Sequence, residues 1–415
     1  MKQRRAAEGT PTFLLEDPPA GSMDQALTNR IIDHAFLSYA FRPMFLGLGI
    51  FALLNMAMWI GPLVGAIPIV GAYGPLWHAH EMLFGFALAA VAGFLLTAVA
   101  TWTGRPPVQG LPLLALCLAW LLGRVAMATG LPPSTGLAAI AMVFPVMLTV
   151  LVAREIILGG SRRNYPVVAL VVTLTLLNGL YHLGTLGVIP GVGRLAVLAA
   201  LYVLVVLVTV IAGRIVPAFT GNWLRARGSA RLPASTPWVE RLILPVTGLT
   251  GVLAVVLPHH LLTGVTAALA AVLHTLRLSR WRGLSTLAEP LLFVLHVAYA
   301  WLPVGFAILA AAVLSDAVPS SAAFHAFGVG AIGMMILAVT SRVALGHTGR
   351  PLHADSVTVI SYVALAIAVV ARIAAPAAGS HYLMAIAIAA LGWIVAWSLF
   401  LWTYTPILLR PRNTS

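Results

Sequence analysis

The sequence predicts an all-α polytopic membrane protein with twelve transmembrane helices in three four-helix quasi-repeats. Three observations carry this expectation. Of the 415 residues, 60% are hydrophobic and only 8% are charged, a composition of membrane proteins rather than soluble domains. The apolar residues fall into runs of about 20, the length that crosses a hydrocarbon core. A Thr-Gly-Arg-Pro motif at residues 103–106 returns at 348–351, an offset of 245, which marks internal repetition.

By the length criterion the spans lie near 43–61, 77–102, 110–129, 136–158, 166–188, 195–218, 240–257, 260–278, 288–313, 322–346, 355–375 and 381–406. Pro, Gly and Arg clusters mark most boundaries, whereas the seventh and eighth spans are divided only by "LPHH". Residues 1–40 are polar, with Pro, Ser and both charge signs but without the order of a cleavable signal, and read as a cytoplasmic tail. Residues 41–410 form one transmembrane domain with units of about 41–160, 161–283 and 284–410, and 411–415 form a short cytoplasmic tail.

The net charge of +13 is spread over short loops between apolar runs, which writes membrane topology and argues against nucleic acid as a partner. The loops after the fourth, sixth and eighth spans contain "RRN", "RARGSAR" and "RLSRWRG", while loops after odd spans have almost no arginine. Both termini are therefore expected in the cytoplasm. Trp77, His78 and His80 then start the second span at its outer end, and Arg105 closes it at the inner end. The one cysteine, Cys117, lies inside an apolar run, so any metal must use imidazole, thioether or oxygen.

The offset of 245 also superposes Gly85 on Gly330 and His80 on His325. A fainter copy lies between, where Thr220-Gly221 follows Arg214 by six residues as Thr348-Gly349 follows Arg342; it lacks the histidine. Spans two, six and ten are thus expected to be equivalent, with function at the repeat interface. Gly123-Arg124 and Ala371-Arg372, near the outer ends of spans three and eleven, extend the match weakly.

Ionisable residues inside spans are costly and point to function. His80 and His325 begin equivalent helices at the same expected depth, each with Gly five residues on. Two neutral imidazoles facing each other across a bundle can hold a haem iron from both sides, and small residues let a flat macrocycle lie close. The plainer alternative is that each imidazole bonds a carbonyl at a helix end. His78 would point about 200° away from His80 on a regular helix, so it either bends toward a second metal or hydrogen-bonds at the surface. Glu81 could orient an imidazole or be an interfacial charge.

His182 and the pair His259-His260 add imidazoles to the outer half, enough nitrogen for copper, although His259 and His260 also suit an ordinary wet loop. His296 sits about 12 Å from the inner end of the ninth span and is a ligand or relay candidate. His347 lies about 33 Å along the helix from His325, so those two cannot share a site. Arg42, Arg105, Arg342 and Arg350 could pair with haem propionates or another anion, with the positive-inside pattern as the simpler account of Arg105 and Arg350. Trp77 and Trp102 read as interfacial belt residues.

The blocks "WHAHEMLFGF", "AGFLLTAV", "WTGRPP", "HVAYAWL" and "GHTGRPL" resemble signature blocks of the NnrS family, from about Arg42 to Pro411. The resemblance implies a twelve-span bacterial inner-membrane protein that contains haem b and copper, is linked to denitrification, and helps cells withstand nitric oxide. Carried over onto matching positions, it marks His78, His80, Glu81, His296, His325, Arg342, His347 and Arg350. The family pattern usually has Pro-Asn where this chain has Ala100-Thr101, a departure that bears only on a local kink. Three four-helix units also resemble, distantly, the catalytic subunit of haem-copper oxidases, whose second and tenth spans hold a haem. The copper site of those enzymes needs histidines on the sixth and seventh spans, and the sixth span here has none, so oxygen reduction is not expected.

The leading expectation is therefore a protein of nitric oxide metabolism, detoxification or stress response. His80 and His325 would hold haem iron; His78, His296 and His347 are candidates for copper or a second haem; Arg42 and Arg342 would contact the cofactor. An oxidoreductase would draw electrons from a redox partner or quinol, whereas a haem with both axial positions filled favours electron transfer or sensing. The alternative is a proton-coupled or small-solute secondary transporter. Against it, Glu81, Glu155, Glu289, Asp316 and Asp355 all fall close to span ends, where a proton-coupled carrier needs one deeper.

Overall fold

The structure, a computed structural model, describes residues 35–63, 65, 74–315 and 318–413. Residues 1–34 of the expected N-terminal tail, residues 414–415 and Asp316 lie outside the described residues. The end of that tail is not free, however: Leu37 and Ala40 are buried against the bundle.

Twelve helices are long and apolar enough to cross a membrane, and no strand occurs among the described residues. They are α1 (Phe41–Leu63), α2 (Pro75–Thr103), α3 (Gly110–Ala128), α4 (Thr135–Leu158), α5 (Arg162–Thr185) and α6 (Val192–Arg225). After these come α7 (Pro237–Val256), α8 (Leu261–Ser279), α9 (Pro290–Leu314), α10 (Ser320–His347), α11 (Ser356–Ala377) and α12 (Gly379–Leu409). The chain is an all-α polytopic membrane protein. In hydrocarbon every backbone polar group must be satisfied within the segment, and helices do this.

Sequential neighbours pair in antiparallel fashion, and α12 returns to pack on α1, closing the ring. Inside it stand α2, α10 and α6, where 78%, 67% and 56% of the most apolar stretch is buried, against 33–39% for most others. Peripheral helices turn apolar faces outward. On α3, Leu118, Leu121, Leu122 and Val125 are exposed while Leu113, Leu116 and Trp120 are buried, the helical spacing of a face that meets lipid.

The repeated Thr-Gly-Arg-Pro motif is a helix stop. Thr103 and Thr348 each return a hydroxyl hydrogen bond to the carbonyl four residues earlier. Gly104 and Gly349 follow with φ of 70° and 72°, the left-handed conformation in which glycine carries no Cβ penalty. The fainter copy does not act this way. Thr220-Gly221 lies inside α6, which continues through Pro217 to Arg225, seven residues beyond the expected end.

Both α2 and α10 change winding near their starts. Glu81–Ala87 and Ala326–Gly333 are π-helical, each beginning one residue after the histidine expected to bind iron. The offset of 245 that relates the motifs also relates the starts of these segments. A π-helical stretch inserts an extra residue per turn and shifts which side chains face a neighbour, and such stretches concentrate at functional sites.

Candidate functional site

The π-helical segments border a cavity of about 820 Å³ at the end of the bundle where the even-numbered spans begin. That size fits a cofactor or drug-sized molecule. Its walls come from α1, α2, α6, α7, α9, α10, α11 and α12 and are mainly apolar. Three histidines, His78, His259 and His325, line it, together with Arg194 and Arg372. Arg372 lies within electrostatic reach of His78 and His325, and His78 within reach of His325.

The local structure orients the imidazoles of His78 and His325. The Nδ1–H of His325 donates to the Ser321 carbonyl oxygen at 2.7 Å. A carbonyl only accepts, so the proton resides on Nδ1 and Nε2 keeps its lone pair, the form in which imidazole ligates a metal. His78 stacks on Trp59 of α1 with centroids 4.5 Å apart and planes at 16°. Its Nδ1 is buried without a hydrogen-bond partner among the described residues.

His80 does not face this cavity, contrary to the expected pairing with His325. It is wholly buried on the other side of α2. Its Nδ1–H donates to Glu81 at 2.8 Å, its Nε2–H donates to Asn178 Oδ1 at 2.8 Å, and its ring stacks on Tyr181 at 4.0 Å. With both ring nitrogens engaged, His80 has no lone pair to offer iron. Glu81 also accepts from Arg124 Nη1 at 2.5 Å, so it is a buried, paired carboxylate and not an interfacial charge. Trp77, expected in the interfacial belt, is 5% exposed and donates its Nε1–H to the Met127 carbonyl. This cluster ties α2 to α3 and α5.

The glycines expected to admit a macrocycle do other work. A Cβ on Gly85 would meet Phe51 at 2.7 Å and Arg124 at 2.8 Å, and one on Gly330 would meet Trp301 at 2.6 Å. Both permit close helix packing. Gly328 is the glycine that lines the cavity, with open space where a Cβ would stand.

The remaining candidates are dispersed. His296 is buried, with Nε2 2.9 Å from the Thr220 hydroxyl. His347 sits among aromatic rings, 6.0 Å from Tyr39 and 5.6 Å from Phe41. His182 packs beside His80 with centroids 5.4 Å apart. His259 lines the cavity, while His260 caps α8 by accepting from the Leu262 amide. Among the described residues no three His, Cys, Asp or Glu side chains converge as a metal site, so His78, His296 and His347 do not form one centre.

The arginines are likewise redistributed. Arg42 donates through Nη1 to the carbonyls of Leu408 and Arg410 at 2.9 and 2.5 Å, closing the end of α12 and not a cofactor site. Arg342 lies 4.3 Å over the Phe219 ring, a cation–π contact, and does not line the cavity. Arg105 pairs with Glu155 at 2.7 Å.

Sequence reasoning passed over Arg194 altogether and gave Arg372 no role at the cavity. It also overlooked a buried polar network on α7, α8 and α9. There His274 meets Thr247 at 3.0 Å and the Tyr299 hydroxyl at 2.9 Å, and Arg277 donates to that hydroxyl and to Glu240.

Twelve helices long and apolar enough to cross a membrane, with a mainly apolar cavity lined by His78, His259, His325, Arg194 and Arg372, define a polytopic membrane protein. Residues 35–412 match the model of the NnrS protein family, and the chain belongs to that family. No curated protein matches it.

Proposed function

We propose that this chain is a haem b protein of a bacterial inner membrane, with both termini cytoplasmic, that handles nitric oxide or a related small molecule. His78 and His325 would hold the haem iron through their imidazoles, and Arg194 and Arg372 would receive the propionates. One observation carries the reading: His325, its Nδ1–H held by the Ser321 carbonyl, shares a mainly apolar cavity with a second imidazole whose Nδ1 has no partner. The space beside Gly328 gives a flat ring room against the backbone.

When bound, haem would supply one-electron chemistry at a potential set by its imidazole ligands and apolar shell. The protein's own part is to orient the two rings, to neutralise carboxylates with two arginines, and to keep water from the apolar walls. Were both imidazoles to bind the iron, electron transfer or sensing would be favoured over turnover. The expected copper gains no support of this kind, since among the described residues no three His, Cys, Asp or Glu side chains converge. The orientation is supported by the arginine-rich loops after even-numbered spans.

The test is the absorbance of detergent-purified protein, with a pyridine haemochrome assay and with nitric oxide added to the reduced form. The expected result is one haem with a bis-imidazole spectrum that disappears in His78→Ala or His325→Ala. Full haem content in both variants overturns the assignment.

One observation favours a second reading. The cavity carries two guanidiniums and no carboxylate among its described lining residues, which also suits carriage of a small organic anion. Colourless protein that accumulates such an anion in vesicles would select it.

A further inference from the structure

A second cavity of about 80 Å³ lies between α1, α2, α6 and α10. Its lining stretches, 87–94 on α2, 204–215 on α6 and 332–340 on α10, each bracket the middle of their span, so it sits near mid-membrane. Its walls are hydrocarbon side chains, among them the buried Ala90 and the partly exposed Val91, Val208, Ile211 and Ile336, so the space opens on one side toward the lipid-facing surface of the bundle. The one hydroxyl, that of Thr340, donates to the Leu337 carbonyl of its own helix.

These walls select the occupant. A buried water needs about two to four polar partners, and none is offered here. Apolar spaces without polar partners exclude water and take up xenon or small hydrocarbons, and an opening toward hydrocarbon gives such molecules a way in. At about a tenth the volume of the large cavity, the space excludes a porphyrin and holds a few diatomic molecules. Apolar gases favour hydrocarbon over water.

The two cavities adjoin. Ile332 lines both, and neighbouring residues divide between them: Phe86 and Leu201 face the large one, Ala87 and Leu204 the small one. The division falls where each π-helical segment gives way to α-helix, after Ala87 on α2 and after Gly333 on α10. The change in winding thus turns the same two helices toward a large, partly charged chamber on one side and a small, wholly apolar one on the other.

We infer that the small cavity is a docking site for a small apolar gas molecule, separated from the large cavity by the Ile332 side chain. The site itself stands on its own walls; only the claim that a docked gas is delivered to a cofactor rests on the function proposed above.

The experiment is xenon pressurisation of crystals of the full chain, read by anomalous scattering, which requires no haem. The expected result is a xenon peak bounded by Val91, Val208 and Ile336. Ala90→Phe should abolish this peak while leaving the large cavity unchanged. Ile332→Ala should extend the xenon density from the small cavity into the large one. Ordered water or a lipid or detergent chain in the small cavity, or xenon confined to lipid-facing grooves, overturns the docking site. Xenon that stays within the small cavity in Ile332→Ala overturns the partition. A xenon peak in protein that fails the haemochrome assay would keep the docking site and sink the haem reading, so the two failures are distinguishable.

Discussion

His78 and His80, two residues apart on α2, belong to different sites: His78 stacks on Trp59 of α1 beside the large cavity, and His80 stacks on Tyr181 of α5 inside a closed polar cluster. A two-residue step turns a helical side chain by about 200°, so one turn of helix serves two opposed surroundings. His78→Ala should therefore remove the bis-imidazole spectrum. His80→Ala should retain it while lowering stability by about 1–3 kcal/mol, the cost of leaving buried polar partners unsatisfied. Haemochrome absorbance and thermal unfolding in detergent measure the two effects separately. Loss of the spectrum in His80→Ala at unchanged stability would reverse the assignment.

The space beside Gly328 leads to a steric prediction. A Gly328→Leu side chain would enter the cavity without meeting protein atoms near its Cβ, so the bundle should insert and fold normally while haem content falls by most of its value. Gly330→Ala, two residues on, pushes into Trp301 instead and should cost about 1–3 kcal/mol as overpacking. Haem-to-protein ratio and unfolding temperature distinguish the pair.

Glu81 and Arg124 are 1% and 4% exposed and joined at 2.5 Å. Removing one charge strands the other, so Glu81→Gln should destabilise by about 3–5 kcal/mol. Glu81→Gln combined with Arg124→Met should recover much of that loss, because no buried charge is left unpaired. A double variant as unstable as the single one would show that the carboxylate acts through His80 and not through the ion pair. Chemical denaturation in mixed micelles reads both.

The fold was legible because hydrocarbon thickness leaves the chain little choice: apolar runs of about 20 residues become helices. Even the short break at Leu257-Pro258-His259-His260 separates α7 from α8 as expected. The end of α6 was missed because Pro217 and Thr220-Gly221 imitate a stop, yet both are accommodated within a continuous helix. The site was harder to read, since repeat register equates His80 with His325 but does not reveal that Asn178, 98 residues away, occupies the second nitrogen of His80. One indication was available in the sequence. Arg124, Arg194 and Arg372 all lie at the end of the bundle that the loop count makes arginine-poor. Each has a specific place there, Arg124 on Glu81 and the other two at the large cavity.

That contrast among arginines gives a final prediction. Arg42 was expected at a cofactor, but its Nη1 donates to the last carbonyls of α12, whereas Arg372 lines the cavity near His78 and His325. Arg42→Gln removes charge-assisted bonds to a helix end and should cost about 1.5–3 kcal/mol of stability without altering the haem spectrum. Arg372→Gln removes a cation from an anion-binding position and should weaken haem retention, most of all when combined with Arg194→Gln, while leaving the bundle as stable as before. Arg372→Lys keeps the charge but not the fork that matches a carboxylate, so it should restore retention only in part. Haem loss to apomyoglobin, followed by absorbance, measures the series. Equal loss rates for wild type and the Arg194→Gln/Arg372→Gln pair would place the carboxylate partners elsewhere, and faster loss in Arg42→Gln would return that residue to the site.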